Sequence, residues 1–187
     1  MKKYIVVGAT LWVTSTAAAR PPVPAEQWTS DARLWLARAM IAEAGWRAPR
    51  DHAAIAHVLA RRWRRVVERY ETIRFVDVIR NYCSGLGGLS RSPTRRQRWV
   101  RRLWPDGSRP EGWPDYASWD RHAPLWRHTL ARADRFGRGE LRDPCRGRAW
   151  HWGGTIDSPR GRMQPVNCGD TQNTFYGLAP RELAAAD

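Results

Sequence analysis

Glu43 stands near the end of the run Leu36-Ala37-Arg38-Ala39-Met40-Ile41-Ala42-Glu43-Ala44, which Gly45 stops. Most of these residues are apolar or strong helix formers, so the carboxyl falls in the last turn of a helix. Backbone carbonyls there carry partial negative charge, and apolar neighbours disfavour ionisation further. Both effects favour a Glu43 that keeps its proton near neutral pH. Such a donor suits cleavage of a glycosidic bond, whose leaving oxygen must be protonated as the bond breaks. The same residue also fits an ordinary surface glutamate on an amphipathic helix.

Other side chains with chemical capacity lie far from Glu43 in sequence. Trp150-His151-Trp152-Gly153-Gly154 offers flat apolar faces and hydrogen-bond donors, which suit sugar rings and acetamido groups. Tyr82, Ser84, Asn173 and Tyr176 can hydrogen-bond a substrate or orient Glu43. A second carboxylate, which hydrolysis would need, has candidates in Asp51, Asp157 and Asp170; Asp51 reads more simply as a helix cap. No Cys-x-x-Cys occurs, and His52 and His57, five apart, do not share a helical face, so neither a metal nor a cofactor is expected.

The elements that must position these groups are mostly helical. Ser30 or Asp31 can cap a helix running to about Ala44, with Leu34, Ala37 and Ile41 on one face. Pro49-Arg50-Asp51 starts a longer helix in which Ile55, Val58, Leu59, Trp63 and Val66 recur at helical spacing. Arg61, Arg62, Arg64 and Arg65 then fall on its solvated side. A short helix around Phe75 to Ile79, a basic one around Thr94 to Leu103 and a long one from about Trp119 to Phe136 follow. After Gly137 the chain turns Gly-rich and aromatic, and Thr174-Phe175-Tyr176 has the composition of a short strand, so a small hairpin or irregular lobe is expected. Trp35, Trp63 and Trp126 read as core.

The chain has 187 residues, enough for one unit with a real core. Met1-Lys2-Lys3, an apolar stretch from Tyr4 to Val13 and small residues up to Ala19 form the three parts of a secretory signal peptide over residues 1–19. The apolar part is too short to span a bilayer and no later stretch is apolar enough. The expectation is a secreted or periplasmic protein with no transmembrane anchor after cleavage. Losing Lys2 and Lys3 would lower the formal charge from +14 by two, to +12, with arginine as the remaining cationic side chain besides histidine. An arginine-rich surface binds polyanions, whether nucleic acid, an anionic membrane or bacterial wall. Export argues against nucleic acid. An oxidising compartment permits one disulfide among Cys83, Cys145 and Cys168; Cys145 with Cys168 would tie an irregular segment, leaving Cys83 buried.

Three stretches in this order resemble the SleB-like cell wall hydrolases: Leu36 to Ala44, Asp51-His52-Ala53-Ala54-Ile55-Ala56-His57-Val58-Leu59-Ala60-Arg61-Arg62-Trp63, and Asn173-Thr174-Phe175-Tyr176. The resemblance implies a lysozyme-like helical domain over residues 20–187. It implies cleavage of the bond between N-acetylmuramic acid and N-acetylglucosamine in peptidoglycan glycan strands, with Glu43 as the acid. Many enzymes of this group act as lytic transglycosylases, in which one glutamate serves as acid and then base. The sequence departs from the family in an insert around Asp157 to Asn167. Two other readings remain open: a nucleic-acid-binding protein using Arg95-Arg96-Gln97-Arg98-Trp99-Val100-Arg101-Arg102, and a wall-binding module without catalysis.

Overall fold

The computed structural model describes residues 21–83, 86, 94–153 and 163–178. Residues 1–19, Ser84, Gly154 and Asp157 lie outside them. The architecture is mainly helical with a small antiparallel sheet. A 3-10 turn at Ala25–Gln27 precedes helices α1 (Ser30–Ala44), α2 (Pro49–Val67), α3 (Phe75–Tyr82), α4 (Arg95–Val100) and α5 (Tyr116–Gly137). Strands β1 (His151–Gly153), β2 (Met163–Val166) and β3 (Thr174–Leu178) follow.

Helix α1 is the axis of the bundle and packs against α2, α3, α4 and α5. Its residues from Leu36 to Ala42 are all buried, which is why its apolar positions go around the helix rather than along the single face predicted. The N-cap is Thr29, whose Oγ1 accepts from Ala32 N–H at 3.1 Å; Ser30 and Asp31 already lie inside or beside the first turn. Arg33 and Asp134 form a two-pronged pair that ties α1 to α5. Helix α4 starts at a reciprocal capping box between Thr94 and Gln97. Helix α5 begins at Tyr116, earlier than its apolar pattern suggests, because Asp115 before it caps the Ser118 N–H.

The sheet order is β1-β3-β2, with both pairs antiparallel and His151 opposite Tyr176. Trp152 and Phe175, opposite one another on β1 and β3, join the same hydrophobic cluster as α1 and α2. Trp63 and Trp126 are core residues as predicted, whereas Trp35 is half-buried, with the Arg38 and Arg80 guanidiniums 4.9 and 4.8 Å from its ring centre.

Two readings of α2 need correction. Asp51 is not a cap. It is buried, and its carboxylate accepts Gln172 N–H at 3.0 Å and Asn173 N–H at 2.8 Å, with Asn173 Nδ2 at 3.0 Å. Arg61 and Arg62 are not on a solvated face either. Arg61 donates to Ala149 O at 2.7 Å and pairs with Asp143 at 2.6 Å, while Arg62 donates to Trp150 O at 2.8 Å. Both sites sit where the C-terminal segment lies across the helix, a contact that helical periodicity cannot announce.

Cys145 and Cys168 are bonded, closing a loop with a sequence separation of 23, and Cys83 is a buried free thiol. Replacing both bridged cysteines by serine should lower stability by about 3 kcal/mol, the loop-closure entropy of such a link. Melting under non-reducing conditions checks this. Equal melting temperatures for variant and parent would exclude a stabilising bridge.

Candidate active site

Glu43 is set by the end of α1. Gly45, with φ +85°, turns the chain away directly after Ala44, and its N–H closes the helix on Ile41 O at 2.8 Å. A Cβ at Gly45 would meet Arg96 Nη1 at 2.9 Å, so both backbone angle and space favour glycine. The Gly45 carbonyl accepts from His52 Nε2 at 2.7 Å, fixing the exit of the helix from the α2 side.

The other half of the site comes from the sheet. Trp152 Nε1 donates to Glu43 Oε2 at 3.3 Å. With 6% of its surface exposed, Trp152 reaches Glu43 through its indole N–H rather than offering an open ring face. Asn173 Nδ2 lies 3.4 Å from Glu43 O and also bonds Asp51, so one amide links the end of α1, the start of α2 and the approach to β3. Tyr82, at the end of α3, packs edge-on to Trp152 with ring centres 4.9 Å apart, and its hydroxyl shares a hydrogen bond with His151 Nδ1. Tyr176, largely buried, places its ring 6.2 Å from that of His151.

Charge near Glu43 follows from this packing. Burial pushes the Tyr82 phenol well above its ordinary range; the Arg62 guanidinium, 3.8 Å from the ring centre, opposes the rise, and Cys83 and the Glu43 carboxylate add to it. Burial, with a further push from Glu43, likewise holds the Cys83 thiol protonated. These two groups therefore present neutral hydrogen-bonding surfaces beside the carboxyl at neutral pH.

The structure thus gathers Glu43, Tyr82, His151, Trp152, Asn173 and Tyr176 around the junction of bundle and sheet. Trp150 is placed differently: its carbonyl is held by Arg62, and the Arg65 guanidinium lies 5.7 Å from its ring centre, on α2. Sequence reasoning missed Arg62, which supports Tyr82 and Trp150 together, and took Asp51, which seats Asn173, for a cap or a second carboxylate. Neither carries a signal beyond its charge and its place on a helix. As for a second carboxylate, both Asp51 oxygens are committed to N–H donors, and Asp170 is exposed. His52 and His57 each bond a carbonyl, Gly45 O and Leu141 O, both at 2.7 Å.

His52 gives the site a pH signature. Burial pushes its pKa from 6.5 down to about 4, the Gly45 hydrogen bond only partly offsetting it, and His57 shifts the same way for the same reason. Between about pH 6.5 and about 4 the unfolded chain takes up a proton at His52 that the folded chain refuses. Stability should therefore fall with pH across that window, by up to about 3 kcal/mol from His52 alone. Urea unfolding at a series of pH values reads this directly, and His52→Gln should flatten the dependence; an unchanged slope would contradict a neutral, buried His52. Comparison with protein-family models, curated proteins and solved structures finds no match for this chain.

Proposed function

We propose that this protein cleaves peptidoglycan glycan strands between N-acetylmuramic acid and N-acetylglucosamine, as a lytic transglycosylase with Glu43 as acid and base. The resemblance of its three stretches to SleB-like cell wall hydrolases belongs to this proposal, as does a lysozyme-like organisation of the helices. The observation that carries it is the seat of Glu43: a carboxyl at the end of the central helix, held on one oxygen by Trp152 and bordered by the neutral hydroxyl of Tyr82.

In the first step Glu43 gives its proton to the glycosidic oxygen as the bond to the muramic acid C1 breaks. In the second the resulting carboxylate takes the proton of the same sugar's C6 hydroxyl while that oxygen closes on C1. The products are a free N-acetylglucosamine end and a 1,6-anhydro ring, and Glu43 is again protonated. This route needs no second carboxylate. The commitment of Asp51 to the Gln172 and Asn173 amides favours it over hydrolysis, in which an opposing carboxylate must activate water or attack carbon. In this reading Asn173 and His151, beside Glu43 and Tyr82, belong to the surface that meets acetamido or hydroxyl groups of the glycan.

Glu43→Gln keeps the shape and the acceptor for Trp152 but removes the transferable proton. It should reduce release of fragments from purified sacculi at least about a hundredfold, with folding and wall retention preserved. Mass spectrometry of the fragments decides the chemistry. Anhydromuropeptides that require Glu43 support the proposal, reducing ends point to hydrolysis, and full activity of the glutamine variant refutes the assignment.

A further inference from the structure

Immediately beyond Glu43 the chain runs into an aromatic and basic cleft that the chemistry at Glu43 does not use. Two adjoining cavities, of about 400 and 350 Å³, share Trp46, Arg96, Arg121 and His122 in their walls. The first is also lined by Ala44 and Gly45, which follow Glu43, and by Gln172, which precedes the Asn173 that touches Glu43 O. The cleft therefore adjoins residues next in sequence to Glu43 and Asn173 and is lined further by residues of α4 and α5.

Its floor is aromatic. Trp46 lies 4.8 Å from His122 and 6.4 Å from Trp113, and Trp113 lies 5.0 Å from Trp99. Trp113 is 8% exposed, and its indole N–H has no acceptor among the described residues. The rim is cationic: Arg95, Arg96 and Arg121 are exposed, and none of them is in an ion pair among the described residues. Asp115 is the acidic residue of the lining, and one of its oxygens is taken by the Ser118 N–H. Arg95, Arg96 and Arg121 line one cavity, so an anion bound there meets several guanidiniums at once. Guanidinium forks match carboxylates in particular, and indole faces accept sugar rings and apolar peptide.

We propose that this cleft binds the acidic peptide stem carried by the muramic acid at the scissile bond, so that the enzyme prefers glycan bearing stems to bare glycan. The inference rests on the reading of Glu43 as a glycan-cleaving acid, because only then is an anionic peptide tethered within reach of the cleft. Nucleic acid fits less well. The indoles meet each other at steep angles, 81° for Trp46 with Trp113 and 53° for Trp99 with Trp113, and Trp46 and Trp99 are half-buried. Successive bases need a row of open, accessible ring faces.

The test is the double variant Arg95→Glu, Arg121→Glu in the full chain, both positions being exposed. Two substrates are used: intact sacculi, and sacculi whose stems have been removed by an amidase. Cleavage of intact sacculi should fall about tenfold more than cleavage of stripped glycan, since only the former loses carboxylate contacts. In the Glu43→Gln background, co-sedimentation with the two substrates should show the same difference. Equal losses on both substrates, or none on intact sacculi, would overturn the proposal. Displacement of sacculi by a single-stranded oligonucleotide at physiological salt, sensitive to the same two arginines, would also overturn it in favour of nucleic acid. If no variant or parent cleaves either substrate while sedimentation still discriminates between them, the acid assignment fails and the stem-binding cleft stands.

Discussion

The candidate site exists only because the C-terminal segment is fastened across α2. Every partner that the sheet side brings to Glu43, from His151 and Trp152 to Asn173 and Tyr176, arrives more than a hundred residues later in the chain. The fastening is polar. His57 takes Leu141 O, Arg61 takes Ala149 O and Asp143, Arg62 takes Trp150 O, and Asp51 takes the Gln172 and Asn173 amides. Burial alone would raise the Asp143 carboxyl, but the Arg61 charge and hydrogen bond, the Gly147 N–H and the His57 ring bring it below its usual range. Such contacts gain little over water if loosely made, and removing one partner leaves a buried charge or carbonyl unsatisfied. Their value is positional: each bond fixes backbone of the C-terminal segment against a rigid helix, which flat apolar packing of Trp152 and Phe175 would not do alone.

This also explains what could be read from the sequence. The helices announce themselves by spacing and punctuation: Gly45 after Ala44, Pro49 before a periodic run, and Gly137 after Phe136. The bond between Cys145 and Cys168 follows from which segment most needed a tie. Glu43 stood out because its position relative to a helix end is a local property. Asp51 did not, because an acidic residue in a first helical turn looks the same whether it caps its own helix or anchors a loop from elsewhere. Arg61 and Arg62 were indistinguishable from Arg64 and Arg65 for a similar reason. Charge and period say that a residue avoids the apolar stripe; they do not say what lies over it.

The positive charge, read as one property from the sequence, divides in space. Arg33, Arg61 and Arg62 spend theirs on internal contacts. Arg38 is 8% exposed and donates to Leu103 O at 2.6 Å, so its guanidinium is engaged inside the fold rather than offered to a partner. Of the exposed arginines, Arg95, Arg96 and Arg121 border the aromatic cleft between α4 and α5. A formal charge of +14 is thus a poor description of how the protein meets a polyanion. The relevant quantity is a few exposed arginines outside any ion pair among the described residues, placed beside indoles.

Gly45 joins these two themes. Its carbonyl is gripped by His52 from α2, and the end of the Arg96 side chain from α4 lies against it, with Arg96 Nη2 3.3 Å from Ala42 O. The last turn of α1 is therefore held from one side by a neutral imidazole and from the other by a guanidinium. A cation at a helix C-terminus is favoured by the helix dipole, so Arg96 is stabilised where it stands without needing an acidic partner. The same guanidinium lines the cavities that lead away from Glu43. A displacement of α4 would change the binding cleft and, through Ala42 and Gly45, the seat of the carboxyl. The guanidinium that lines the cleft is in this way in direct contact with the helical turn that carries Glu43, through Ala42 and Gly45.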